Sequence, residues 1–198
     1  MYNNCELRGA SLVLTFEDFL VFAAKKTTSD ERHPYKFTGI GGKVEKDETF
    51  LQGAMREAEE EIGRKIEIIP TDRTIIIKND VVQIAHNVPE VPALIISRDN
   101  YFKGCDLLIY TFISKITAEP VLSSEHDAFL LIPIQFLNMI KSYGDSLTYS
   151  KALFHGAKII KKDNFSLSDE DTISFIDSPE VYLKHIEYWI DFVHCDKP

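Results

Sequence analysis

Gly42-Lys-Val-Glu-Lys-Asp-Glu48, followed at fixed distance by Arg56-Glu57-Ala58-Glu59-Glu60-Glu61-Ile62-Gly63, decides how this chain folds. Residues 48–62 contain no proline and one interior glycine, Gly53, so they read as a helix of about four turns. Asp47 is placed to cap its start, and Gly63 to close it from a left-handed conformation. At roughly 100° per residue, Phe50, Leu51, Ala54, Met55, Ala58 and Ile62 share one stripe that should face a core. Glu57 and Glu61 fall at the edge of that stripe, one turn apart, with Glu60 slightly further round. Carboxylates beside a buried face are held in few rotamers and are partly desolvated.

Carboxylates packed so closely repel one another and raise each other's pKa values unless a cation sits among them. The cluster therefore implies a divalent metal rather than a bare acid/base pair. Hard oxygen donors without a Cys or His cage suit Mg2+ or Mn2+, ions that retain waters and bind substrate phosphate. The helix is reached through paired glycines, Gly41 and Gly42, and Gly53 projects on the side of Glu57 and Glu60, which leaves room for a phosphate to approach. The competing reading of an acidic run is an exposed helix face supported by ion pairs four residues apart. The glycines and Glu48 at their fixed spacing argue against it.

Gly42, Glu48, Arg56, Glu57, Glu60, Glu61 and Gly63 together reproduce the pattern Gly-x5-Glu-x7-Arg-Glu-U-x-Glu-Glu-x-Gly-U, and residues 42–64 thus resemble the Nudix box. Three positions depart from the usual family residues: Arg64 stands at the final apolar position, the small Ala58 at the interior one, and Ile40 where proline is frequent. These touch packing rather than chemistry. The resemblance implies a Nudix hydrolase with an α/β/α sandwich fold around a central mixed sheet. Such an enzyme cleaves a nucleoside diphosphate linked to another group by metal-assisted attack of water on phosphorus, as a nucleotide or nucleotide-sugar pyrophosphatase. Carried over by position, Glu57, Glu60 and Glu61 look like the metal ligands, joined by the carbonyl of Gly41. Arg56 would orient a neighbouring carboxylate, and Glu48 would stand behind the ligands or bind a further metal. The resemblance offers Glu60 or Glu61 as the general base, with a glutamate from a later loop as the alternative. In Ser123-Ser124-Glu125-His126-Asp127, Glu125 resembles such a distal glutamate, with a solvated turn as the alternative.

Other candidates are weaker by sequence. Arg32 and His33 lie just upstream of the box, where they could reach phosphate or stay solvated. Phe37 could stack on a base, although an aromatic before a core strand commonly packs inside. Gly42 is expected to line the substrate. His126 reads as a surface loop residue or a conceivable base, and Tyr101, Phe102 and Lys103 as the border of a pocket.

Composition bounds the rest. The chain has 198 residues, 44% hydrophobic and 27% charged, which suits one substantial core. Its formal net charge of -9 disfavours duplex nucleic acid, whose binding depends on Lys and Arg releasing counterions. A small nucleotide is not disfavoured, because a bound metal reverses the local field. No apolar run reaches membrane-spanning length, and the N-terminal residues lack a signal-peptide pattern, so a cytoplasmic protein with no membrane partner is expected. Cys5, Cys105 and Cys195 are few and widely separated, and read as free thiols.

Residues 10–15 and 19–24 read as a hairpin around Glu17-Asp18. Residues 65–69, 74–78, 81–85, 93–97 and 107–114 read as strands, and residues 133–142 as a later helix. Residues 1–145 are expected to form the core and 146–198 a helical extension, with one helix over residues 148–160. Another is expected to open at Ser178-Pro179-Glu180 and run through Trp189 to Val193. Its apolar face is expected to dock on the same domain, with a homodimer contact or a lid as the alternatives. A rival of another class is a non-catalytic Nudix sensor that binds a nucleotide. Such domains tend to lose box carboxylates and gain a basic module, whereas this chain keeps the carboxylates and its tail is acidic.

Overall fold

Alternation along the central strands sends side chains into two opposite cores. The computed structural model of the protein describes residues 5–26, 35–143 and 146–193. Strands β1 (Glu6–Phe16) and β2 (Phe19–Lys26) form the expected hairpin, turned by Glu17 at φ 52°. On β1, Ala10, Leu12 and Leu14 enter one core and Val13 the other; on β2, Val21 and Ala23 oppose Leu20, Phe22 and Ala24. Burial on both faces is why these segments read as continuous apolar runs.

The chain continues through β3 (Tyr35–Thr38), β4 (Ile40–Lys43), α1 (Phe50–Ile62), β5 (Glu67–Ile68), β6 (Thr74–Lys78), β7 (Val81–Ala85), β8 (Leu94–Phe102), β9 (Cys105–Ile116) and β10 (Ala128–Pro133). It ends with α2 (Leu137–Tyr143), α3 (Tyr149–Phe154), β11 (Lys158–Lys161), α4 (Ser178–Lys184) and α5 (Ile190–Val193). The sheet runs β11-β10-β2-β1-β9-β8-β6-β7, with β3 on β2, β4 on β1 and β5 on β9. It is mixed: β1 pairs with β9 and β6 with β8 in parallel, and the other pairs are antiparallel. Phe50, Ala54, Ala58 and Ile62 of α1 close the core on one face. Residues of α2, α3, α4 and α5 close the other, around Phe22, Phe37, Phe165 and Trp189. The fold is an α/β/α sandwich with additional C-terminal helices.

Four local expectations are corrected. Thr49, not Asp47, caps α1: its hydroxyl accepts from the Gln52 N–H, and the Gln52 side chain accepts in return from the Thr49 N–H. The reciprocal pair stops the helix from extending back to Glu48. Met55 is 50% exposed, because Phe50, Ala54, Ala58 and Ile62 already fill the contact with the sheet. Within 148–160 only α3 is helical; Gly156 at φ 87° breaks it, and β11 then adds to the edge of β10. The helix opened by Pro179 is interrupted after Lys184, where the Trp189 Nε1–H donates to the Tyr182 carbonyl at 2.7 Å and takes the ring into the core.

The cysteines also differ from the sequence reading. Cys5 and Cys105 form a disulfide across the parallel start of β1 and β9, two strands adjacent in space but 100 residues apart in sequence. Cys195 lies outside the described residues, as do Arg32 and His33.

The capping assignment gives a direct comparison. Thr49→Ala should cost about 1 kcal/mol, lowering the melting temperature by about 2–4 °C, while Asp47→Ala should leave it unchanged; equal effects in thermal denaturation would reverse the assignment.

Candidate active site

Two glycines let α1 approach the sheet closely. In β4, Gly41 pairs with Ser11 and Gly42 with Ala10 of β1. Gly41 has φ 143°, and a Cβ there would collide with the Ala10 carbonyl. A Cβ on Gly42 would lie 2.5–2.7 Å from the Glu57 carboxylate atoms. Both positions therefore require glycine, one for its backbone and one for the space it leaves to Glu57. Gly53 has a different use from the one its spacing suggested. A Cβ there would meet Val44 at 3.3 Å, Glu48 Oε2 at 3.4 Å and Ala10 at 3.6 Å, so it seats the helix on the sheet and leaves no phosphate channel.

Arg56 gathers the carboxylates. Its Nε donates to Glu48 Oε1 at 2.8 Å and its Nη2 to Glu48 Oε2 at 3.1 Å, a two-pronged bond. Nη1 donates to Glu57 Oε1 at 2.8 Å and to Glu60 Oε2 at 3.1 Å, and Nη2 also reaches the Lys43 carbonyl at 3.0 Å. The planar guanidinium is suited to this fork, which a lysine could not reproduce. Glu61 points elsewhere: its Oε2 accepts the Gly41 N–H at 3.1 Å, which fixes it against the glycine pair. Burial raises the pKa of Glu57 above the ordinary carboxylate value, against the pull of Arg56 and helped by the charges of Glu61 and Glu60. Such a group gains from any additional cation.

The segment before β10 returns to this helix end. The Arg64 Nε donates to the Glu119 carbonyl at 2.8 Å, and the Val121 N–H donates to the Ile62 carbonyl at 2.9 Å. Arg64, the unusual residue at the end of the box, thus ties the following loop to the helix. The loop delivers Glu125 and His126 beside Glu61. Glu125 is exposed, whereas His126 is buried, contrary to the surface position expected from sequence. The sequence carried no signal for that burial beyond the neighbouring apolar run. Nor did it single out Glu90, whose carboxylate accepts the Leu51 N–H at 2.7 Å at the start of α1.

Phe37 is fully buried, bridged to Phe175 and hydrogen-bonded through its backbone to Ser174 and Ile176. It packs in the core, so the stacking role on a base is withdrawn. Gly41 and Gly42 line a cleft of about 1080 Å³ that also carries Arg8, Lys25, Lys26, Lys36, Lys43 and Arg98. The same cleft carries Glu6, Asp177 and Glu180, so cations outnumber carboxylates along it in a chain whose net charge is -9.

A family model for the NUDIX domain matches residues 7–137. The chain belongs to the Nudix family. Among solved structures it is similar to the solution structure of the E. coli ORF135 protein, at 17% identity over 70% of this chain and 81% of that one, with a TM-score of 0.46. It is also similar to a MutT protein from Methanosarcina mazei, at 16% identity over 69% and 83% of the two chains, TM-score 0.46. A third likeness is to a C. elegans Ap4A hydrolase binary complex, at 17% identity over 68% and 84%, TM-score 0.45. No curated protein matches. Among the described residues, no helix is long and apolar enough to cross a membrane.

The Arg56 hydrogen bonds, then the Glu45 N–H, hold the Glu48 carboxyl below its ordinary value of 4.5. A group depressed on folding contributes stability that is fully present above the unfolded pKa and is lost as pH falls through the folded one. Glu48→Gln should therefore flatten the loss of stability that wild type shows as pH drops below about 4.5. Thermal melting from neutral pH downward measures this; an identical acid limb would contradict the role of the fork.

Proposed function

We propose that this Nudix hydrolase cleaves a phosphoanhydride bond in a nucleoside diphosphate linked to a second group, using Mg2+ or Mn2+. The observation that carries this reading is the convergence of Glu57 and Glu60 on Arg56, with Glu61 tethered to the Gly41 N–H, at the edge of a basic cleft. The donor set fits a hard divalent cation: carboxylate oxygens, one partly desolvated, with glycine backbone alongside. Glu57, Glu60 and Glu61 would hold it, with the Gly41 carbonyl, and Glu125 stands close to Glu61. When bound, such an ion neutralises phosphate charge and makes water a stronger nucleophile at neutral pH.

The chain's own groups divide the remaining work. Arg8, Lys36, Lys43 and Arg98 bind and orient the diphosphate in the cleft, which Gly42 also lines. Arg56, held by Glu48, fixes Glu57 and keeps it from turning toward solvent. Glu60 is about half exposed and gives one oxygen to Arg56, which leaves the other for the ion. The small nucleotide substrate is the only partner this reading requires.

A panel of nucleoside triphosphates, sugar nucleotides, ADP-ribose, dinucleoside polyphosphates and coenzyme A, read by product mass in oxygen-18 water, identifies substrate and attacked phosphorus. Glu61→Gln should lower kcat at least about 100-fold with the fold intact by circular dichroism, and Lys36→Ala should act mainly on KM. Turnover that persists in EDTA, or survives Glu61→Gln, would overturn the reading.

A further inference from the structure

We infer that Glu61, Glu125 and His126 form a second cation position beside the carboxylates held by Arg56, one that takes a transition ion such as Mn2+, Co2+ or Zn2+ in preference to Mg2+. The inference rests on the reading of Glu61 as a cation ligand and adds a nitrogen donor to it.

His126 is the independent observation. It is 6% exposed, and among the described residues neither Nδ1 nor Nε2 has a hydrogen-bond partner. A buried imidazole that serves only packing ordinarily satisfies at least one ring nitrogen through a carbonyl or hydroxyl. Here Nε2 lies 3.5 Å from Glu61 Oε1, close enough for electrostatic attraction but without hydrogen-bond geometry. Donor atoms of Glu61, Glu125 and His126 all lie within 4.8 Å of one another. Two donors across one ion at about 2.1 Å each stand about 4.2 Å apart, so small side-chain adjustments bring all of them onto a common centre.

The surroundings hold this arrangement in place. Glu61 spends Oε2 on the Gly41 N–H, which leaves Oε1 on the His126 side. Glu57 and Glu60 each give one oxygen to Arg56 instead. The loop carrying Glu125 and His126 is tied at one end to α1 through Arg64 and Val121. At its other end the Lys162 N–H donates to the Asp127 carbonyl at 2.9 Å, and Lys162 Nζ pairs with the Asp127 carboxylate at 3.2 Å. The Phe129 ring closes one side, its centroid 5.9 Å from that of His126. Imidazole is a borderline donor that Mg2+ takes poorly and transition ions take well, so a single nitrogen is enough to separate the two classes.

The test uses the full chain loaded with Mn2+ or Co2+ alone. Pulsed EPR of the Mn2+ form should show coupling to a directly bound imidazole nitrogen, and His126→Gln should abolish it. Calorimetric titration should show Co2+ and Zn2+ affinity falling at least about tenfold in His126→Gln, since even groups that merely support a ligand are worth that much, with Mg2+ affinity changed far less. If His126→Gln does not fold, Glu125→Gln carries the test, because its exposed side chain can be changed with the core intact and must weaken Co2+ binding to a similar degree. Absent nitrogen coupling in wild type, or equal losses for Mg2+ and Co2+, would overturn the inference. Hydrolysis that proceeds without nitrogen coupling would defeat this site alone, whereas nitrogen coupling without hydrolysis would defeat the functional reading alone.

Discussion

The ion-pair fork of Arg56 is the constraint from which the rest of the site follows. Glu48, Glu57 and Glu60 would repel one another on so short a stretch of chain, and one guanidinium bound to all of them converts that repulsion into a fixed geometry. The fork in turn requires a close approach between α1 and β4, since Nη2 also reaches the Lys43 carbonyl. That approach is open only because Gly42 leaves space for Glu57 and Gly53 seats the helix against Val44 and Ala10. Electrostatics and packing are therefore coupled: a methyl group at Gly42 would disturb the charges as much as the contact.

The sheet extends this logic across the molecule. The antiparallel pairing of β4 with β1 places it beside the box helix, β9 pairs with β1 in parallel, and the disulfide between Cys5 and Cys105 joins the starts of β1 and β9 beside the basic cleft. On the other side, β11 pairs with β10, and the residue that follows it, Lys162, fastens Asp127 at the base of the Glu125 and His126 loop. Residues after the matched domain thus contribute to positioning the site, and the helices that follow bury Trp189 and Tyr182 against the far face of the sheet.

Local pattern made much of this legible. The spacing of the box placed Arg56, Glu57 and Glu61 on one helix, and Gly63 closes that helix in the left-handed conformation its position called for. The hairpin at Glu17 and the strand-rich middle of the chain followed from β-branched runs and turn residues. Tertiary competition decided the rest. Thr49 displaced Asp47 as cap because Gln52 reciprocates with it, which a single acidic residue does not reveal. Cys5 and Cys105 became partners through a parallel pairing of distant strands, invisible in their spacing. Burial of His126 depends on Arg64 and Lys162 folding a polar loop back onto α1, and no periodicity in Ser123-Ser124-Glu125-His126-Asp127 announces it.

Anomalous diffraction from crystals soaked in Mn2+ goes to the root of this arrangement. Density for the ion is expected among the carboxylates of Glu57, Glu60 and Glu61, with the guanidinium of Arg56 still gripping Glu48 behind them. Saturating Mn2+ with no anomalous density there, and with those carboxylates turned into bulk solvent, would contradict it.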